Sequence, residues 1–308
     1  MGRAGEVLYA FVPVLLLILG GYLGQRSGRI DAGLRSGLER ISYHVFLPAL
    51  LFQNLASSAV PGAAVLPLLL LTANSILLTA LAMLAWCRHA AVPAAEVGPH
   101  VMASMRFNNF LGFSLLLPLF GPVGLAAGAM VSTFAVIVAN TVSVVVLLTC
   151  AGRNRPSLRQ LGTELARNPL IQASAAGLAW KASGLDLLAP VERTLAMLGQ
   201  AGIVCGLIVV GAALALAPSA LPRPAALAST GFAKFLFLPA LAYGQAWLFG
   251  LDPLVIAAIT LFFALPTAPA SYLLARQLGG DAELMAGLIV AQSVLAMLVL
   301  PAVVLLVG

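Results

Sequence analysis

Two groups of polar residues interrupt long apolar runs, and both contain side chains that can end or restart a helix. Asn108 and Asn109 lie in the first run, and a Pro-Thr-Ala-Pro cluster begins at Pro266 in the second. Proline lacks a backbone donor and breaks a helix, whereas asparagine and threonine can cap the helix that restarts. We therefore expect two half-helices in each run, with Thr267 as one cap and one of the two asparagines as the other. Pro269 fits the first turn of its half-helix.

The start of a helix carries free N–H groups and the positive end of the helix dipole, and both attract anions. Arg106 precedes the first interruption and adds a positive charge, although snorkelling toward the membrane surface is an equal alternative for its side chain. Gly112 allows a close approach of the backbone. The predicted substrate-binding residues are Arg106, Asn108, Asn109, Gly112, Pro266, Thr267 and Pro269.

Other polar residues inside the apolar runs have lesser predicted roles. Four amides are typical of hydrogen bonds between membrane helices, and some of them are expected to line a cavity. They are Asn54, Asn140, Gln200 and Gln292. We expect the long stem of Lys234 to let its ammonium group snorkel to the membrane surface.

Motifs for catalysis or metal binding are absent from the sequence. The three histidines, His44, His89 and His100, do not have the spacing of metal ligands. The motifs HExxH, GxSxG and the P-loop are also missing. We therefore predict no enzymatic activity, no metal site and no bound cofactor.

The composition predicts an integral membrane protein with the lipid bilayer as its partner. Hydrophobic residues make up 61% of the chain and charged residues 8%, against about 25% charged residues in soluble proteins. The ten acidic residues lie in or beside connectors, so the apolar runs offer no carboxylate for a proton relay. The net charge of +6 comes from Lys and Arg in short connectors. It indicates membrane orientation and no nucleic-acid binding.

The apolar runs predict ten transmembrane helices of about 20 residues each. They are expected near residues 7–25, 39–57, 65–87, 98–120, 122–150, 167–182, 194–217, 227–250, 253–277 and 283–307. Counted at ~1.5 Å per residue, both polar interruptions lie near the middle of the membrane. Lys and Arg concentrate in alternate connectors. By the positive-inside rule these connectors face the cytoplasm, so we expect a protein of the inner (cytoplasmic) membrane with both termini outside.

Short similarities recur in the same order through both halves of the chain. Leu119-Phe-Gly121 has a counterpart in Gln277-Leu-Gly279, and the offset that pairs Gly121 with Gly279 places Asn108 opposite Pro266. Five spans is an odd number, so the second copy must be inverted in the membrane. The predicted domains are a first repeat at residues 1–150, a short cytoplasmic connector at 151–167 and an inverted second repeat at 168–308.

Several longer motifs carry a resemblance to a known family. The most specific is Leu265-Pro-Thr-Ala-Pro-Ala-Ser-Tyr-Leu-Leu-Ala-Arg-Gln-Leu-Gly-Gly-Asp-Ala-Glu-Leu-Met-Ala286, and Arg106-Phe-Asn-Asn-Phe-Leu-Gly112 is another. They are similar to the ninth-helix and fourth-helix regions of the auxin efflux carrier (AEC) family. The resemblance is to the bacterial branch of that family, within the bile/arsenite/riboflavin transporter superfamily. Ser114 departs from the pattern, because many relatives have a proline there.

The resemblance implies a 5+5 inverted repeat of ten helices, with broken, crossed helices four and nine. It also implies a permease, a secondary active transporter that moves small organic anions, such as dicarboxylates or auxin-like carboxylates, by an elevator mechanism. The alternative is an ion-coupled transporter or exchanger of a cationic or neutral solute on the same fold. Both Na⁺ and H⁺ stay open as coupling ions, and a homodimer is one of the assemblies left open.

Overall fold

The protein is helical throughout the part of the chain that the structure describes. The computed structural model describes residues 3–57, 62–150, 158–216 and 222–307. In this part, helices make up 87% of the structure and no strand is present. Six helical stretches are long and apolar enough to cross a membrane. Helices satisfy all backbone polar groups within a bilayer, so these findings confirm the prediction of an all-α membrane protein.

The helices of the first half are interrupted in the region of the fourth predicted span. The bounds are α1 (Arg3–Arg26), α2 (Ala32–Ile41), α3 (Leu47–Ala56), α4 (Val65–His89), α5 (Ala94–Met105) and α6 (Asn109–Cys150). Asp31 caps α2, so the second apolar segment begins earlier than the predicted residue 39. Within α6, Gly121 has a φ of 63° and makes a kink between two helical segments. Positive φ favours glycine, and the kink lies between predicted spans four and five.

The helices of the second half show a corresponding interruption near the ninth predicted span. The bounds are α7 (Leu158–Arg167), α8 (Pro169–Ala182), α9 (Ala189–Ala215), α10 (Pro224–Phe232), α11 (Leu238–Leu248), α12 (Pro253–Phe263), α13 (Ala270–Leu278) and α14 (Ala282–Val307). The predicted connector at 151–167 thus includes α7, and residues 151–157 lie outside the described residues.

Two wide π-helical turns shape the helices that surround the break region. Ser42–Phe46 joins α2 to α3, and Ala233–Phe237 joins α10 to α11. Each π-helical turn is followed by the same tetrapeptide, Leu47-Pro-Ala-Leu50 or Leu238-Pro-Ala-Leu241. Because proline lacks an N–H, the carbonyl four residues before it receives no α-helical hydrogen bond. The wider π-helical turn accommodates this loss.

Both predicted interruptions are present, and they touch. Residues 106–108 separate α5 from α6, and residues 264–269 separate α12 from α13. The backbone N–H of Asn108 donates to the carbonyl of Pro266 at 2.8 Å. These two non-helical segments, residues 106–108 and 264–269, are named the crossover.

Glycines allow the helices beside the crossover to pack closely. A Cβ atom on Gly21 of α1 would lie 2.1 Å from the carbonyl oxygen of Ile208 in α9, and one on Gly211 would lie 1.9 Å from that of Ile18. Only a residue without a side chain fits such a contact. Gly21 and Gly211 are therefore packing residues.

Gly21→Ala is expected to lower the free energy of unfolding by about 1–3 kcal/mol, because its methyl group would push α1 away from α9. Gly20→Ala is the matched control, since a Cβ atom at Gly20 meets nothing within 4 Å. Thermal unfolding of both variants in detergent measures the difference. Equal melting temperatures for the two variants would contradict the α1–α9 contact.

Candidate functional site

One carbonyl group at the end of α5, that of Ala103, is satisfied by side chains from distant parts of the chain. If α5 continued, the carbonyl of Ala103 would accept a hydrogen bond from Phe107, but the helix ends at Met105. Gln292 Nε2 of α14 instead donates to the Ala103 carbonyl at 3.0 Å. Thr267 Oγ1 also lies 3.0 Å from this carbonyl and 2.8 Å from Gln292 Oε1. The crossover is thus tied to both α5 and α14.

One sequence prediction is corrected by this arrangement. Thr267 does not cap α13, because its hydroxyl group is turned toward α5 and Pro269 occupies the cap position without a side-chain bond. Gln292 makes hydrogen bonds between helices, as expected of the four amides, since its side-chain amide bonds to the Ala103 carbonyl and to the backbone N–H of Thr267, and it is not among the residues that line the central cavity described below. Both residues hold the crossover together.

Asn108 caps α6, as one of the two asparagines was expected to do. Its Oδ1 accepts from the backbone N–H of Leu111 at 3.3 Å, and its carbonyl accepts from Gly112 at 3.0 Å. Gly112 itself faces packing atoms, because a Cβ atom there would lie 2.6 Å from Leu265. Gly112 therefore allows α6 to approach the residues of the second break.

A cavity of ≈ 450 Å³, named the central cavity, borders the crossover. Four of the seven predicted binding residues line it, namely Arg106, Asn108, Asn109 and Pro269. Pro266 and Thr267 are buried within the crossover, and Gly112 is used in packing. Of the four predicted amides, Asn140 lines the central cavity, whereas Asn54 donates to Leu50 in its own helix and Gln200 is exposed.

The first turns of two helices face this cavity from different directions. Asn109 and Phe110 begin α6, and Ala268, Pro269 and Ala270 lead into α13, and all five residues line the central cavity. The first N–H groups of a helix have no intrahelical acceptor. Two positive dipole ends therefore meet at one cavity.

Arg106 is held by α6 and does not extend to the membrane surface. Its Nη1 donates to Asn140 Oδ1 at 2.7 Å and lies 3.4 Å from Ser143 Oγ. No ion pair of Arg106 with a carboxylate is found among the described residues, where Arg223 pairs with Glu96 at 2.5 Å. The Arg106 side chain therefore lines the central cavity and does not snorkel toward the membrane surface.

Several buried polar atoms near the cavity have no hydrogen-bond partner in the described part of the chain. They include Arg106 Nε, Asn108 Nδ2 and Ser132 Oγ, and all three residues line the central cavity. The two nitrogen atoms are donors, and the hydroxyl group can donate as well. Buried polar atoms in native proteins are nearly always paired, so this region is prepared for a ligand that accepts hydrogen bonds.

The snorkelling prediction for Lys234 is wrong. Its side chain is fully buried, its Nζ donates to the carbonyl of Arg106 at 2.7 Å, and Nζ lies 3.8 Å from the centre of the Phe107 ring. The crossover supplies a carbonyl acceptor for the ammonium group inside the protein, so the side chain turns inward.

Several other polar residues of the cavity wall were not among the predicted site residues. Tyr43 and His44 lie in the π-helical turn that follows α2 and line the central cavity, with Glu39 and Arg40 one turn earlier. The Tyr43 hydroxyl accepts a hydrogen bond from Asn168 Nδ2 at 3.1 Å. The available signal was the proline of Leu47-Pro-Ala-Leu50, which indicates an irregular turn before it.

Comparison with known proteins finds one matching family model. This model is described as "Membrane transport protein" and represents the auxin efflux carrier family. It matches residues 6–304 of the chain. No curated protein matches the chain at a significant level of sequence similarity.

Thr267→Val is expected to destabilise the protein by about 1–3 kcal/mol, because it removes a buried hydroxyl group that bonds to α5 and α14. Thr260→Val is the matched control, since the Thr260 hydroxyl group bonds only to Ile256 of its own helix, α12. Thermal unfolding compares the two. A Thr260→Val effect as large as that of Thr267→Val would show that the bonds across the crossover add nothing.

Proposed function

Because the chain belongs to the auxin efflux carrier family of membrane transport proteins, we propose that it is a secondary active transporter of small organic anions. The observation that carries the proposal is the set of hydrogen-bond donors at the central cavity. The Arg106 guanidinium, the Asn108 amide and the starts of α6 and α13 lie there together. A carboxylate is the ligand that accepts from all of them.

The charge balance at the crossover supports an anion over the alternative cargo, a cation or neutral solute. A cation would need a carboxylate beside it, and the central cavity has its one carboxylate, Glu39, at the end of α2 with Arg40 next to it. A carboxylate ligand 4 Å from Arg106 gains about 4 kcal/mol of attraction at an effective dielectric constant of 20. Part of this gain offsets the desolvation of both charges.

The size and walls of the cavity support a small cargo with an apolar portion. A volume of ≈ 450 Å³ falls within the range of ~300–1,000 Å³ that is typical of small-molecule sites. Apolar side chains such as Leu47, Val209 and Leu273 cover much of the wall. Short dicarboxylates and auxin-like carboxylates both fit this description, and they are the proposed substrate classes.

The proposed architecture is a 5+5 inverted repeat of ten helices, with the fourth and ninth helices crossing at their breaks. The offset that pairs Gly121 with Gly279 also pairs Asn108 with Pro266. Both glycines have positive φ, and the other two residues share the hydrogen bond that joins the breaks. This is the symmetry that two inverted copies with a shared midplane site would have.

An elevator-type movement is proposed because the site lies between two groups of helices. On one side α1, α3, α8 and α9 pack on one another, and on the other α5, α6, α12 and α14 pack around the crossover. A second groove, of ≈ 590 Å³, lies between α1, α9 and residues 113–118 of α6. Sliding one group past the other would expose the site alternately through the central cavity and this groove.

The proposed orientation places the Lys- and Arg-rich connectors in the cytoplasm and both termini outside the cell membrane. Export is the energetically favoured direction for an anion. Each negative charge that leaves an inside-negative cell gains about 2.3 kcal/mol per 100 mV.

Arg106→Gln is expected to weaken carboxylate binding ~10- to 100-fold, because hydrogen bonds to a charged group are worth about 1.5–3 kcal/mol. Thermal stabilisation by a panel of mono- and dicarboxylates gives the affinity of purified protein. Arg223→Gln is the control, since it removes the same charge from an exposed side chain.

Unchanged affinity in Arg106→Gln would remove Arg106 from the site. Stabilisation of the wild-type protein by cations or neutral solutes alone would contradict an anionic cargo.

A further inference from the structure

Lys234 places a positive charge at the crossover without lining the central cavity. It lies in the π-helical turn between α10 and α11 and is fully buried. Its Nζ contacts the carbonyl of Arg106 on one side and the face of the Phe107 ring on the other. In the described residues no carboxylate pairs with it.

The partner of Lys234 is the negative end of a helix. The backbone N–H of Arg106 still bonds to Met102, so Arg106 closes α5 and its carbonyl belongs to the last turn. The carbonyls of a last turn lack intrahelical partners and carry the negative end of the helix dipole. Inside a membrane no water is available to them.

Such a carbonyl end is where a transporter would hold a coupling cation. Half-helix C-termini and unwound carbonyls are the groups that coordinate Na⁺ in proteins with broken membrane helices. α12 also ends at the crossover, at Phe263, so two negative helix ends meet the two positive ones. The negative helix ends favour a cation, just as the positive helix ends favour an anion.

We propose that the Lys234 ammonium group is a built-in counter-cation, which fills the position of a coupling Na⁺ and lets the crossover form without sodium. A second cation at the same carbonyl would be repelled by the ammonium group. The Phe107 ring covers the ammonium without supplying the oxygen ligands that a metal ion needs. Within the described residues, no cluster of three His, Cys, Asp or Glu residues offers another metal site.

Lys234 is also a positioning residue for the anion site. Its ammonium group bonds to the carbonyl of Arg106, whose side chain lines the central cavity. Loss of the ammonium group frees that carbonyl and shifts the backbone that carries the guanidinium. This consequence for the anion site rests on the proposed function, whereas the counter-cation role does not.

The test measures melting temperatures without any carboxylate, in NaCl and in N-methyl-D-glucamine chloride, a cation too large to enter. The wild-type protein is expected to melt at the same temperature in both salts. Lys234→Ala is expected to melt lower and to regain at least ~2 °C in methylammonium chloride or NaCl. Leu238→Ala is the control, because it opens a buried space next to the π-helical turn without removing a charge.

A specific stabilisation of the wild-type protein by Na⁺ would overturn the proposal, and this measurement does not depend on whether a variant folds. A Lys234→Ala protein that responds to small cations no more than Leu238→Ala would also overturn it. Lys234→Met, which keeps the length of the side chain, is expected to melt lower without recovery in methylammonium. Equal melting of Lys234→Met and wild type would show that the charge has no role.

Carboxylate binding in the same two salts separates this proposal from the proposed function. Equal carboxylate affinity with and without sodium supports the counter-cation, and sodium-dependent affinity contradicts it. If no carboxylate binds in either salt, the proposed anionic cargo fails, whereas the melting temperatures still decide the role of Lys234.

Discussion

Backbone polar groups at a helix break inside a bilayer cannot bond to water, and each unpaired group costs several kcal/mol. Two such breaks occur in this protein, and they contact each other through the Asn108–Pro266 hydrogen bond. Two carbonyls at the end of α5, those of Ala103 and Arg106, are contacted by Thr267, Gln292 and Lys234, which come from three different parts of the second half. The helices around the crossover are arranged so that these side chains reach it.

The hydrogen-bond donors and acceptors at the crossover differ in whether they have partners within the protein. The carbonyls of Ala103 and Arg106 at the end of α5 have partners within the protein, whereas Arg106 Nε and Asn108 Nδ2 have none among the described residues. A crossover that pairs these carbonyls internally and leaves donors and two helix starts beside a cavity is prepared for an anionic ligand. The polar residues of the two breaks thus divide into those that hold the crossover and those that face the cavity.

Much of this arrangement could be predicted from the sequence, because it depends on local rules. Composition and run length predicted a helical membrane protein, and the prolines and asparagines predicted both breaks. One of Asn108 and Asn109 was expected as a cap because a cap depends on the next three residues alone, and Asn108 is the one that caps α6. The kink at Gly121 lies between two spans that were predicted as separate.

The errors concern side chains whose partners come from a distant part of the chain. Thr267 was assigned to its own helix, and Lys234 was expected at the membrane surface. Each instead reaches the end of α5, and no local pattern shows which carbonyl will lie nearby. Tyr43 was missed because its position in the cavity wall depends on the wide turn before Leu47-Pro-Ala-Leu50.

The most direct measurement is a structure of the protein with a bromine-labelled carboxylate, such as 4-bromobenzoate, located by its anomalous signal. The account predicts one bromine peak in the central cavity, with the carboxylate within hydrogen-bond distance of Arg106 and of the first turn of α6 or α13. A carboxylate bound only outside the central cavity, or a cation found beside Arg106 in its place, would contradict the central claim that the crossover is an anion site.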